Sequence, residues 1–311
     1  MSRIPGALAC IALAVSVPAQ VAQDSTPHAV DTVSRDSTRI IPWKVGVLGA
    51  ASVTAAAVAY GLILERGWWS GPNSDFHWEK PSNDFHYAHN LDKCGHFYFG
   101  TWLGEGFHDA YQWAGFSEFS SYALAGLSAS TTHLGIELKD AYAPTWGFSV
   151  WDVTSGTLGG FYPMARRYVP IPFAYVDIKY SYWVNHTDYY DSPTGGPNMH
   201  VWVDDYVNET FWASIKVHKA LPEAAQPYWP AWLNLAVGVG IDGRTFSERN
   251  GAGGREYYVG PDWDLEGMFH PKSTLGKRAL HYANMIKWPA PTVKVYPHRT
   301  IYWLFPTEAT F

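Results

Sequence analysis

The chain has 311 residues and a formal net charge of −6, and no block of basic residues stands out. It therefore lacks the electrostatic footprint of a nucleic-acid-binding protein. Charged residues make up only 16% of the chain, against roughly 25% in soluble domains. Aromatic residues also make up 16%, which is typical of membrane interfaces, sugar-binding clefts and exposed sheet faces.

Residues 1–19 have the features of a secretory signal peptide. Arg3 precedes an apolar segment, and small residues before Gln20 offer a cleavage site. The residues before Cys10 fit a lipoprotein box poorly, so we expect cleavage after Ala19 rather than lipidation. Residues 20–42 are polar and predict a disordered linker. We therefore expect an exported protein of the bacterial cell envelope that faces the periplasm and associates with the inner or outer membrane.

Residues 43–168 predict a helical, membrane-associated bundle. The apolar stretch 44–64 reaches the length of about 20 residues that a membrane helix needs. Its many alanine and glycine residues would also suit a buried helix in a soluble bundle. Three further helices are predicted over residues 91–113, 118–140 and 149–166. Gly95, Gly100 and Gly104 permit close helix crossings.

Residues 169–311 have the alternation of apolar and polar residues that is typical of strands. Strands are predicted at 173–184, 210–219, 232–241, 257–268 and 293–305, with a short helix at 277–286. The predicted fold class is α+β, with a helical bundle followed by a β-rich antiparallel C-terminal region. Such a sheet would pack on the helices or form part of an outer-membrane barrel, although a closed single-chain barrel needs at least about eight strands.

Three short motifs place ionisable side chains on the three consecutive helices. Their residues are Asp92, Lys93, His96, His133, Glu137, Asp140, Ser149 and Asp152. Asp92 and His96 lie four residues apart and share a helix face, and so do His133 and Glu137. Buried carboxylates are unfavourable unless they are paired or bound to a cation, so these groups must meet if the helices pack together.

Two arrangements satisfy that requirement. In the favoured one, a structural network, Lys93 pairs with Asp92, Glu137 or Asp152. In the other, a divalent metal is bound by His96, His133, Glu137 and Asp152. Histidine and carboxylate side chains on facing bundle helices build such metal sites. No known catalytic or phosphate-binding motif occurs in the chain, so the sequence leaves open whether the protein is an enzyme.

The three motifs together resemble the YfiM-like family of uncharacterised bacterial envelope proteins (domain of unknown function 2279), and are distantly similar to the VanZ-like membrane family. The family's Asp-Lys-x-x-His-Phe, Glu-x-x-Asp and Gly-aromatic-Ser-x-x-Asp elements match at Asp92, Glu137 and Gly147. The resemblance implies an envelope location and a helical fold but no reaction, because the family's activity is unknown. Where the family has Asp or Asn four residues after Asp152, this chain has Gly156.

We expect a structural or ligand-binding envelope protein whose buried Asp/Lys/His/Glu network fixes the helical bundle. One alternative is a metal-dependent or acid–base enzyme that acts on an envelope lipid or a cell-wall precursor. Another alternative is an outer-membrane scaffold or pore, which rests on the C-terminal strands. The expected partners are a membrane and an envelope lipid, glycan or protein.

Overall fold

The structure, a computed structural model, describes residues 39–61, 69, 72–184, 204–245 and 253–307. The predicted signal peptide, with Cys10, and most of the predicted linker lie outside the described residues. Long helices come first along the chain and a six-stranded antiparallel sheet follows. The α+β class is therefore confirmed.

The described α-helices are α1 (Pro42–Ala59), α2 (Pro81–Asp84), α3 (Leu91–Trp113), α4 (Glu118–Asp140), α5 (Val150–Tyr168), α6 (Pro170–Phe173), α7 (Val217–Ala220), α8 (Leu265–Met268) and α9 (Thr274–Asn284). Of these, the long helices α3, α4 and α5 pack on one another. The bounds of α3 and α4 are those predicted. The hydroxyl of Ser149 accepts a hydrogen bond from the Asp152 N–H, so Ser149 caps α5.

Helix α1 is the apolar helix predicted from the stretch 44–64. It has a mean hydropathy of 1.3, none of it is buried, and by length and composition it is able to cross a membrane. The start of α1 contacts the end of α3, where the Lys44 ammonium donates a hydrogen bond to the Trp113 carbonyl at 2.9 Å. Whether α1 crosses a membrane stays a prediction.

Helices α3 and α5 cross with their backbones in contact. A Cβ atom on Gly100 would lie 2.3 Å from the carbonyl oxygen of Gly156, and one on Gly104 would lie 2.5 Å from that of Gly160. No side chain fits at such distances, so glycine is required at both of these positions on α3. The predicted close crossing is confirmed at these two positions, whereas a Cβ atom on Gly95 would meet the Tyr206 ring, just before β2, at an ordinary contact distance of 3.4 Å.

The six described strands form an antiparallel meander in which each strand pairs with the next. They are β1 (Val176–Tyr182), β2 (Glu209–Ile215), β3 (Leu233–Ile241), β4 (Arg255–Trp263), β5 (Ala290–Tyr296) and β6 (Thr300–Phe305). The prediction of one strand over 293–305 is wrong. The chain turns at 297–299 and makes two strands, and Pro297 was the signal in the sequence because proline has no N–H for the ladder.

The sheet curls so that its concave face is enclosed. The Phe305 ring on β6 lies 5.4 Å from the Trp212 ring on β2 and 4.8 Å from the Tyr258 ring on β4. β1 also forms an isolated bridge with Ile286, just before β5. The described strands nevertheless run from β1 to β6 without a β1–β6 pair. In this part of the chain the pore alternative therefore lacks the closed barrel on which it depends.

One hydrophobic core joins the helices to the sheet. Leu91, Cys94 and Tyr98 of α3 are buried in the same cluster as Tyr180 of β1 and Phe211 of β2. The rings of Tyr98 and Tyr180 are stacked, with their centroids 5.1 Å apart. The two halves thus bury these side chains together, and the division into domains at residue 168 stays a prediction.

An unusual turn leads into α3. Ala88, His89 and Asn90 all have left-handed backbone conformations, with φ angles of 44°, 50° and 65°. Two side chains hold the turn: the Asn90 amide donates to the carbonyl of Phe85 at 2.8 Å, and Arg255 of β4 donates to the carbonyl of His89 at 2.7 Å. This turn sets the position of the first residues of α3.

Candidate site: a carboxylate-rich cleft

The predicted site residues come together where α3 and α5 begin and α4 ends. Seven of the eight line a cleft of about 500 Å³, and the exception is His133. The short connection from α4 to α5 brings Glu137 and Asp140 beside Ser149 and Asp152. The juxtaposition that helix packing was expected to produce is therefore present.

Lys93 lies buried at the base of this cleft and binds three carboxylates. Its ammonium nitrogen lies 2.7 Å from Asp84, 2.8 Å from Asp92 and 2.7 Å from Asp152. Burial alone lowers the pKa of Lys93, but the carboxylates of Asp92 and Asp152 outweigh that effect and hold the pKa above its ordinary value. Asp92 and Asp152 were among the predicted partners of Lys93, whereas Glu137 is not one of its ion-pair partners.

Asp84 of α2 is the partner that the sequence did not reveal. Its carboxylate also accepts a hydrogen bond from the Ser149 hydroxyl at 2.9 Å, so it links Lys93 to the start of α5. It lies in the short segment Pro81-Ser-Asn-Asp84, which has the composition of a turn and no periodicity. Nothing in that pattern indicates which way the side chain points.

A second group lies beside this network. The Nε2 atom of His96 lies 3.8 Å from Oδ1 of Asp152 and 4.0 Å from Oε1 of Glu137. One ligand atom from each of the three residues lies within 4.8 Å of the others. Ligand atoms that share an ion at about 2.0–2.6 Å lie up to about 5 Å apart, so these three side chains fit a bound divalent cation.

His133 lies outside this group of three closely spaced ligand atoms, and its place among the four predicted metal ligands stays a prediction. Its Nδ1 atom lies 2.9 Å from the carbonyl oxygen of Ala129, one turn earlier in α4. Its ring fills the space beside Gly156, where a Cβ atom would lie 2.2 Å from the ring. The departure from the family pattern at Gly156 thus has a physical reason, since the His133 ring occupies the room that a side chain there would need.

Both histidines are neutral near pH 7 without a bound ion. Burial lowers the pKa of His96 to about 4 and also lowers the pKa of His133. The two rings lie 5.4 Å apart. A neutral imidazole has a free lone pair on one nitrogen, which is the form that binds metals.

We expect Gly156→Ala to destabilise the protein by about 1–3 kcal/mol, because the new methyl group overlaps the His133 ring. Urea denaturation would measure the loss. Gly135→Ala on α4 is the matched control, because a Cβ atom there meets nothing within 4 Å. In a His133→Ala background the penalty of Gly156→Ala should shrink, and an unchanged penalty would contradict the steric explanation.

The cleft contains many more carboxylates than cations. The carboxylates that line it are Glu79, Asp84, Asp92, Glu137, Asp140, Asp152 and Asp204, while Lys93 is its only lysine or arginine among the described residues. Burial, with a contribution from Asp152, raises the pKa of Asp92 to about 7 and that of Glu137 to about 10. The buried Oδ1 atom of Asp92 accepts no hydrogen bond from the described part of the chain. This arrangement favours an additional cation.

The raised pKa of the Asp140 carboxyl group predicts that the stability of the protein depends on pH. Burial raises its pKa to about 7, although Trp69 donates a hydrogen bond to its carboxylate at 2.5 Å. The unfolded value is about 3.9, so the folded state keeps a proton that the unfolded state releases. The stabilisation is complete below about pH 4 and is lost as the pH rises through about 7.

We therefore expect Asp140→Asn to flatten the decline of the unfolding free energy between about pH 4 and pH 7. Urea denaturation at a series of pH values would measure the slope, and the exposed Asp75→Asn would control for the loss of one charge. An unchanged slope in Asp140→Asn would contradict the assignment.

Residues 82–165 match the family model described as "Predicted periplasmic lipoprotein (DUF2279)". The match spans most of α2, all of α3 and α4 and most of α5, and therefore includes all eight predicted site residues. No curated protein and no solved structure matches the chain. The resemblance to that family and the location in the cell envelope are confirmed, while the choice between cleavage after Ala19 and lipidation at Cys10 stays a prediction.

Proposed function

We propose that the DUF2279 region of this exported envelope protein binds a divalent cation in its cleft and, with that cation, a small polar ligand of the envelope. The observation that carries the proposal is the surplus of carboxylates around His96, Glu137 and Asp152. A cation there would supply the charge that Lys93 alone does not.

The three candidate ligands are held in position by other groups. Glu137 accepts a hydrogen bond from the Ser149 N–H through Oε2 at 3.0 Å, which leaves Oε1 on the side of His96. Asp152 is the third residue of the capped helix α5, and its Oδ1 atom lies 2.7 Å from the Lys93 ammonium. Such supporting contacts orient metal ligands and are part of functional metal sites.

The shape of the cleft supports a ligand larger than an ion. Its volume of about 500 Å³ lies within the range of small-molecule sites. Tyr87 and Trp146 form an edge-to-face pair at one wall, with Tyr206 beside them. Aromatic rings together with carboxylates suit a hydroxyl-rich or phosphate-bearing fragment, with the cation bridging to its oxygens. A network that served stability alone would not require a cleft of this size.

A second candidate function is a metal-dependent or acid–base enzyme acting on an envelope lipid or a cell-wall precursor. The observation in its favour is that the pKa values of Asp92 and Asp140 both lie near 7, where a carboxyl group can take up and release protons. Perturbed carboxyl groups in a cleft also occur in structural networks, so turnover has to be measured directly.

The test is elemental analysis of the detergent-purified protein after dialysis against Zn²⁺ or Mn²⁺, the ions that histidine and carboxylate ligands suit. We expect stoichiometric metal in the wild type, loss of metal in His96→Ala and in Glu137→Gln, and retention in His133→Ala. His133→Ala is the matched control, since it removes a buried imidazole from the same pair of helices. Absence of metal from the folded wild type, or equal loss in His133→Ala, would refute the cation site.

A further inference from the structure

The convex face of the sheet is only half covered by helices. Tyr180 of β1 and Phe211 of β2 point from this face into the core shared with α3. The same face continues across β3 to β6, where large apolar side chains are exposed, among them Leu235 at 40%, Ile301 at 40% and Trp303 at 53%. In the described part of the chain, no helix packs over this half of the face, and its apolar side chains are exposed to solvent.

On β3 to β6, apolar side chains lie on the outward convex face and polar side chains lie on the inward face, which is the reverse of the arrangement in soluble proteins. On these strands the enclosed concave face holds the buried polar side chains of Asn234, Glu256 and Asp262 beside the rings of Tyr258 and Phe305. The convex positions between strand ends on β3 to β6 are apolar, as at Leu235, Val237, Val259, Val293, Ile301 and Trp303. Soluble antiparallel sheets place apolar residues inward and polar residues outward, whereas membrane sheets alternate apolar-out and polar-in.

Aromatic residues mark both ends of the apolar area. At one end the rings of Trp232 and Trp263 lie 5.9 Å apart, and at the other the rings of Tyr257 and Tyr296 lie 5.9 Å apart. Tyr257 and Trp263 are six residues apart on β4, which corresponds to roughly 20 Å of strand. In membrane sheets, aromatic girdles flank an apolar band of about 25 Å.

We propose that the convex face of β3 to β6 contacts the hydrocarbon of a lipid bilayer, with the two aromatic rows at its boundaries. Lipid suits this face better than a protein partner does, because the described convex positions between the rows are uncharged and, apart from the indole N–H of Trp303, carry no hydrogen-bonding side chain. Protein interfaces are only about 56–58% apolar and include polar groups. The proposal is independent of the cation site.

A fluorescent label at Val259→Cys tests the proposal in the full-length protein. Val259 lies at the middle of the face, and native Cys94 is buried. The control label is at Leu275→Cys, on the surface of α9 between the exposed Lys272 and Lys277. Each labelled protein is reconstituted into phosphatidylethanolamine–phosphatidylglycerol vesicles with and without bromine on the acyl chains. Wild type treated with the same label gives the signal from native cysteine, which is subtracted.

We expect the label at position 259 to shift to the blue and to be quenched severalfold more by brominated lipid than the label at position 275. Because the label reports its own surroundings, insertion of α1 alone would not produce this result. Equal quenching at both positions would overturn the proposal. A blue shift that needs no vesicles and grows with protein concentration would also overturn it, and would indicate a second copy on this face. Leu235→Cys provides a second reporter on the same face if Val259→Cys does not fold.

Discussion

Replacing Lys93 with methionine is expected to destabilise the protein by about 3–5 kcal/mol near pH 7, because the carboxylates that bind its ammonium would remain buried without it. Asp84, Asp92 and Asp152 all lie within 2.8 Å of that ammonium. Methionine fills a similar volume, so the loss would report charge rather than packing. Urea denaturation of the purified variant measures the effect.

The stability lost in Lys93→Met is expected to depend on pH. Without the ammonium, the three carboxyl groups would hold protons in the folded state that the unfolded chain releases, so stability should return as the pH is lowered. Lys80→Met, at an exposed lysine close to the same cleft, should change stability by no more than about 0.5 kcal/mol. A Lys93→Met loss below about 1 kcal/mol, the level of exposed pairs, would show that Lys93 does not hold this network together.

Asp262→Ala is the second substitution for which we expect a large effect, again about 3–5 kcal/mol, because it leaves a buried ammonium unpaired. Asp262 and Lys179 are both fully buried inside the curled sheet, with their charged atoms 2.7 Å apart. The Ser214 hydroxyl also donates to Asp262 at 2.6 Å, and the ammonium of Lys287 lies 3.7 Å from it. Denaturation in urea, with the variant and wild type side by side, measures the change.

A double variant separates charge from packing at this pair. Lys179→Met with Asp262→Leu replaces both charges by apolar groups, and such replacements are often neutral or stabilising. The double variant should therefore be more stable than Asp262→Ala alone. Glu118→Ala breaks the exposed pair with Arg167 and serves as the control, with an expected change of about 0–1 kcal/mol. If Asp262→Ala were no worse than this control, the buried pair would not contribute to stability.

The helices were the most predictable part of the fold. Ser117 and Ser149 cap α4 and α5, and α3 begins directly after the left-handed Asn90. Local signals of this kind fix where a helix begins and ends. The turn that divides β5 from β6 was also marked locally, by Pro297, but the alternating pattern on both sides of it resembles one continuous strand.

The sequence predicted which helices bring the site residues together, but it did not predict which side chains contact one another. Spacing places His133 and Glu137 on one face of α4, and that much follows from the sequence. The direction of the His133 ring depends on the absent side chain of Gly156, on a different helix. Asp84 reaches Lys93 from a four-residue helix. Both outcomes depend on tertiary packing, which spacing along the chain does not report.

The contact from Arg255 to the left-handed turn before α3 has a consequence for how this protein can be divided. Ala88 and His89 each hold a conformation that costs on the order of 1 kcal/mol, and a strand residue 166 positions away along the chain from His89 helps to keep them there. A fragment trimmed to residues 82–165 would lose that tether, together with the cleft residues Asp204 and Tyr206. We therefore expect a fragment limited to the matched region to be less stable than the full chain, because truncation removes this tether and part of the wall of the cleft.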